Sequence, residues 1–256
     1  MFQYVMILLI GSFAGIMTGL LGASGVMAVV PGMLLLGYSA PQAIGTSLAV
    51  DLTASLAVSW TYHRHGRVNL RQGLWIAAAA VLGAQVGSHL SSRVPEIGLS
   101  AGFGVVLLGS AVIFWRNGIH REIGKIQATS LARLIKRRPA AACLIIGLYA
   151  GIYSGLFGAG GGMLFLFALL LLGYSLHHAI GTSTLIMALT TASGTLGHAM
   201  LGNLPYLTVA GIAGGTVLGS ISSARLANRM DERFLGKAIA LVLGFLSIAV
   251  FAAALH

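Results

Sequence analysis

The chain has 256 residues, 57% of them hydrophobic and 8% charged, with a mean hydropathy of +0.92. A soluble domain carries about 25% charged residues, so this composition excludes a water-soluble globular protein and makes lipid the solvent for most of the chain. The formal charge of +10 does not call for nucleic acid, because the cytoplasmic loops of membrane proteins collect Lys and Arg.

Taken in chain order, apolar segments are predicted at 4–21, 24–37, 43–61, 72–91 and 98–115, then at 140–157, 161–173, 179–197, 206–224 and 238–255. The opening MFQYVMILLIG has no basic n-region, so it is expected to be a retained first helix rather than a signal peptide. Most segments are long enough to cross ~30 Å of hydrocarbon at 1.5 Å per residue. The segments 24–37 and 161–173 are not; as helices they reach only about 20 Å, so each is expected to begin inside the membrane. Between 116 and 138 the chain is polar and basic, with Arg116, Arg121, Lys125, Arg133, Lys136, Arg137 and Arg138. This divides it into a first membrane repeat (1–115), a basic cytoplasmic linker (116–138) and a second membrane repeat (139–256).

The word repeat is literal. Residues 15–47 match residues 151–183 at 19 of 33 positions without a gap. Gly15, Gly19, Gly22, Gly25, Gly37 and Gly45 fall on Gly151, Gly155, Gly158, Gly161, Gly173 and Gly181, and AIGTS occurs at 43–47 and again at 179–183. If the short segments complete a crossing, each half has five and the second half is inverted. Then 14 of the 15 Lys and Arg lie on the cytoplasmic side, with Arg93 outside and both termini outside. If they do not, four crossings per half keep the halves parallel and the split becomes 10 to 5. The loop at 62–71 carries three arginines and its counterpart at 198–207 none, while 225–237 is basic and its counterpart 91–97 is not. The fold expected is therefore an all-α integral membrane protein of two inverted repeats, four to five segments each and eight to ten in all, with helices broken at the Gly-rich motifs.

Glycine weakens a helix and exposes its backbone, which hydrocarbon penalises. GLLGASG (19–25) and GLFGAGGG (155–162) therefore ask for a use. A helix that starts in mid-membrane presents free N–H groups and a positive dipole end. Two such ends, at Gly22, Ser24 and Gly25 and at Gly158, Gly160, Gly161 and Gly162, can converge on one anion. Thr46, Ser47, Thr182 and Ser183 are hydroxyls expected to open the following helices, as caps or as ligands to the anion. The plainer reading of Gly15/Gly19 and Gly151/Gly155 is close helix packing. No strand precedes GAGGG and no GK[ST] follows it, so it is not a nucleotide loop.

Asp51 is the only acidic residue deep in a predicted span. A carboxylate there costs at least about 2.5–3.5 kcal/mol, so it is assigned either a structural hydrogen bond or proton coupling. Its repeat counterpart is Met187. His63, His65, His177, His178 and His198 read as interfacial polar residues rather than proton relays. The lone Cys143 excludes an internal disulfide. No HExxH and no nucleophile–base pair is present, so no metal, no cofactor and no enzyme activity are expected.

The duplicated GxxxGLxGxxG, GYS and AIGTS resemble the sulfite exporter TauE/SafE family of membrane permeases, also called TSUP, across nearly the whole chain. That resemblance implies a bacterial cytoplasmic-membrane permease for sulfur-containing anions such as sulfite, sulfoacetate and related organosulfonates, usually described with eight helices. The first copy departs from the second: Ser24 and Val26 stand where the second has Gly160 and Gly162, and Pro31 where it has Phe167. The expected partners are a small anion and the lipid bilayer, with a homodimer as an open option and no nucleic acid. A channel-like anion pore and a non-transporting membrane scaffold or assembly factor stand as alternatives to a secondary transporter.

Overall fold

The structure is a computed structural model that describes residues 2–22, 24–91, 139–158, 160–231 and 234. The predicted spans 98–115 and 238–255, the linker 116–138 and Arg93 lie outside the described residues. Among the described residues the chain is helical. The first repeat supplies α1 (Phe2–Leu21), α2 (Val26–Leu35), α3 (Ala40–Arg64) and α4 (Leu70–Ser91). The second supplies α5 (Pro139–Phe157), α6 (Gly162–Leu171), α7 (Leu176–Met200) and α8 (Tyr206–Arg229). Four of them, α3, α4, α7 and α8, are long and apolar enough to cross a membrane.

The short helices α2 and α6 have ten residues each, about 15 Å of rise, and both ends are written into the repeated sequence. At the start stand Gly22 at φ 61° and Gly158, Gly160 and Gly161 at 69°, 58° and 69°, a left-handed region that side chains other than glycine rarely enter. At the end, GYS works as one device. Gly37 and Gly173 also turn left-handed, at 85° and 96°. The N–H of Tyr38 then reaches the Met33 carbonyl at 3.1 Å and that of Tyr174 the Leu169 carbonyl at 3.1 Å, as in a Schellman cap. Ser39 and Ser175 follow as the N-cap residues of α3 and α7. Both long helices thus start earlier than the apolar pattern predicts, because GYS ends one helix and begins the next. Thr46, Ser47, Thr182 and Ser183 consequently lie in the second turn and not at the opening of α3 and α7.

Packing exchanges the repeats. The first helix of each packs along the fourth helix of the other: α1 on α8 and α5 on α4. The stripes that make this possible are Gly11, Gly15 and Gly19 and their equivalents Gly147, Gly151 and Gly155. A methyl group on Gly15 would stand 2.1 Å from the Thr216 carbonyl oxygen, and one on Gly151 2.2 Å from that of Ala80. These glycines admit neighbouring backbone, as small-residue stripes do between membrane helices. The central pair is α3 against α7; 72% of each apolar window is enclosed, against 50% for α4 and 33% for α8. The tyrosines of the two GYS turns reach across in the same reciprocal way. Tyr38 Oη lies 2.7 Å from Thr208 Oγ1 on α8, and Tyr174 Oη accepts from Asn69 and donates to Gln72, which opens α4.

Candidate functional site

The start of α2 and the start of α6 both face Asp51, one turn beyond Ser47 on the central helix α3. Asp51 is fully buried. Its Oδ1 accepts the Gly25 N–H at 2.9 Å and its Oδ2 accepts the Ser24 hydroxyl. Ser24 Oγ in turn accepts the Val26 N–H at 3.1 Å. The first N–H groups of a helix have no partner inside it. Here a carboxylate and a hydroxyl satisfy them, and the positive end of α2 meets a negative side chain. A charge that would be costly in hydrocarbon is placed where backbone donors receive it.

The second break has the same path and none of those side chains. Position 160, equivalent to Ser24, is Gly160, and position 187, equivalent to Asp51, is Met187. A Cβ built on Gly160 would stand 3.0 Å from both Cγ and Sδ of Met187, and 3.0 Å from Oδ2 of Asp51. Gly160, Gly161 and Gly162 are all buried. Among the described residues, the N–H groups of Gly161, Gly162 and Met163 meet no side-chain acceptor, where α2 has Asp51 and Ser24. The two helix starts thus meet at one carboxylate, which is bonded to the first and lies beside the second.

The four hydroxyls named from the AIGTS motifs are all buried, and they divide by role. Ser47 donates to the Gly158 carbonyl at 3.1 Å, and its equivalent Ser183 lies 3.4 Å from the Gly22 carbonyl while also donating to Ile180 at 2.9 Å. Each repeat therefore uses its serine to hold the break of the other. Thr182 Oγ1 accepts the Asn69 N–H at 3.0 Å. The residue equivalent to Asn69 is Pro205, which has no N–H to give, and Thr46 Oγ1 is left buried without a partner among the described residues. Two of the histidines are enclosed by protein. His198, two residues before the end of α7, faces the protein interior and is fully buried, where Gly45 has no side chain and its Cβ position lies 3.2 Å from the His198 Cβ. His177 is also buried, with Nε2 3.1 Å from the Ala227 carbonyl.

The one sequence hint of this pairing is that Ser24 and Asp51 both lose their polar side chain in the second repeat. Ser24 gives way to Gly160 and Asp51 to Met187, and the two positions are neighbours in space in both repeats.

A family model for the sulfite exporter TauE/SafE matches residues 7–250. Among curated relatives, Probable membrane transporter protein YdhB of Bacillus subtilis is 28% identical over 239 residues, 92% of this chain and 95% of its own. YunE of the same organism, which carries the same description, is 25% identical over 90% of this chain and 91% of its own. A relative described likewise in Methanocaldococcus jannaschii is 24% identical over 75% of this chain and 71% of its own. No solved structure matches. With its apolar helices and these relatives, the chain is a multi-pass membrane protein, not an enzyme, and it belongs to the sulfite exporter TauE/SafE family of membrane transporters.

Proposed function

We propose that the chain is a secondary transporter of a small sulfur oxyanion or organosulfonate. The anion binds at the start of α6 and Asp51 carries the coupled proton. The observation that carries this reading is the unequal filling of two equivalent helix starts. At α2 the protein supplies its own anion, the Asp51 carboxylate. At α6 no side-chain anion among the described residues meets the N–H groups of Gly161 and Gly162, and Met187 stands at the position equivalent to Asp51. A sulfonate or sulfite oxygen suits those donors, since backbone N–H groups with a helix dipole behind them take the place of water around an anion. Gly158, Gly160, Gly161 and Gly162 put no side chain of their own over these N–H groups, and Ser47 fixes the loop through the Gly158 carbonyl. On the other side Ser24 and Gly25 hold Asp51, with Ser183 at the Gly22 carbonyl. Thr46 and Thr182 directly precede these serines on α3 and α7.

An anion at α6 repels an ionised Asp51, so its binding and a proton on Asp51 favour each other. Alternating access then moves anion and proton together, with the two repeats rocking about the α3–α7 pair. The inverted, five-segment arrangement is supported by the arginines. Arg67, after α3, donates to the Asn228 carbonyl at 3.0 Å and to its side chain at 2.9 Å near the end of α8. The basic stretches 64–71 and 225–229 thus share one end of the molecule, as inversion requires and parallel halves forbid. The site lies within one chain, so a homodimer would carry two independent copies of it.

Labelled sulfite and sulfoacetate counterflow in proteoliposomes tests the proposal. A carrier speeds uptake when the far side is loaded, whereas a channel does not. For a scaffold, flux stays at background in the parent protein and in Asp51→Asn and Gly160→Leu alike.

A further inference from the structure

A second anion-attracting site lies far from the glycine breaks, at the basic end of the molecule. Between the C-terminal parts of α3 and α8 is a groove of about 510 Å³, lined by Trp60, Thr61, Arg64, His65 and Arg225 among others. Arg64 and Arg225 are both exposed, and neither has a hydrogen-bond or ion-pair acceptor among the described residues. Arg67 nearby differs, being committed to Asn228. His65 is oriented by a 2.7 Å contact between Nδ1 and the Thr61 carbonyl, and the Trp60 side chain stands 64% exposed.

The internal duplication supplies a control. The positions equivalent to Trp60, Arg64, His65 and Arg225 are Leu196, Met200, Leu201 and His89. Leu196, Met200 and Leu201 are exposed. The same helix pair packs in both repeats, so the fold does not need the arginines or the tryptophan. They are additions at one end only.

The surroundings say what the groove meets. Arg64 closes the apolar span that runs from Pro41, and Arg225 lies one turn before the end of the span that closes at Arg229. Trp at the end of a span marks headgroup depth. Leu56, four residues before Trp60, and Leu218, seven before Arg225, lie on the same helix faces and are 55% and 72% exposed. An apolar track therefore leads from the cationic groove into the hydrocarbon. We infer that this groove is a binding site for an anionic phospholipid, with the phosphate between Arg64 and Arg225, the glycerol region against Trp60, and the acyl chains along Leu56 and Leu218. Basic pockets between helices at a membrane face take headgroups in this way, and guanidinium groups suit phosphate geometry.

The test uses the full-length protein in detergent micelles, with melting followed on titration of phosphatidylglycerol, phosphatidylcholine, glycerol phosphate or inorganic phosphate. Phosphatidylglycerol is expected to raise the melting temperature and the other three are not. Arg64→Gln with Arg225→Gln should weaken that response roughly tenfold or more in apparent affinity. The charge-preserving Arg64→Lys with Arg225→Lys should retain most of it, as should Arg71→Gln, a charge removed outside the groove. Equal responses to phosphatidylglycerol and phosphatidylcholine would overturn the assignment, as would a full response in the Gln pair. Inorganic phosphate reproducing the shift would mean a free-anion site and overturn the lipid. Should the Gln pair fail to fold, Trp60→Ala and Leu218→Ser, which leave both arginines in place, carry the test: each should weaken phosphatidylglycerol binding, and unchanged binding in both would reject the site.

Discussion

Asp51 and Ser24 form a hydrogen-bonded acid–hydroxyl pair at a helix start, and their replacement predicts two separable outcomes. Asp51→Asn keeps an oxygen for the Gly25 N–H and should preserve the fold while abolishing the pH dependence of anion binding. Asp51→Leu strands the Gly25 N–H and the Ser24 hydroxyl in a buried site, at a cost of about 1–3 kcal/mol, read as a lower melting temperature. The serines at the breaks give a graded pair. Ser47→Ala removes the one hydrogen bond that side chain makes among the described residues, worth about 0.5–1.5 kcal/mol. Ser183→Ala should cost less, because the Gly22 contact is longer, at 3.4 Å, and shares its proton with Ile180. Asp51 was legible in the sequence as a lone acid in an apolar span. Its bond to Ser24 was not, since 27 residues separate the two and no periodicity links a break to the next helix. The roles of Ser47 and Ser183 in holding the opposite break were hidden for the same reason.

At the scale of the helices, the glycine stripes set how closely the repeats approach. Gly151→Ala would put a methyl 2.2 Å from the Ala80 carbonyl oxygen and 2.7 Å from its Cα. Backbone does not yield as a flexible side chain does, so α4 and α5 must separate, at about 1–3 kcal/mol or more. Gly214→Ala, on the same type of helix but with nothing within 4 Å, should instead be neutral or stabilising by about 0.5–1 kcal/mol. Melting curves of the two variants side by side distinguish packing from mere helix propensity. Apolar runs and the 136-residue spacing between Gly15 and Gly151 made the elements and their duplication readable before any coordinates. The ends were less so: α3 and α7 begin at Ala40 and Leu176, because the GYS turn is a local cap that hydropathy does not register. Which helix pairs with which was not readable at all, since exchange between repeats depends on surfaces that alternate only once folded.

For the whole molecule, the account ties topology to transport. Cys143 is the single cysteine, so Cys143→Ala provides a background for single-cysteine labelling. Cysteines placed at Gly66 and at Asp231 should react from the same side of the membrane, and one at Gly202 from the other; parallel halves would put 66 and 231 on opposite sides. The most direct test of the central claim is the stabilisation of purified protein by a sulfonate, which stays ionised at mildly acidic and mildly alkaline pH, measured for the parent and for Asp51→Asn. A ligand raises stability by RT ln(1 + [L]/Kd), so the shift reports affinity at each pH. The account predicts a larger shift for the parent at acidic than at alkaline pH, and in Asp51→Asn a shift that no longer depends on pH and exceeds the parent's under alkaline conditions. A parent protein unmoved by any sulfur anion, or an Asp51→Asn variant with the parent's pH dependence, would contradict it.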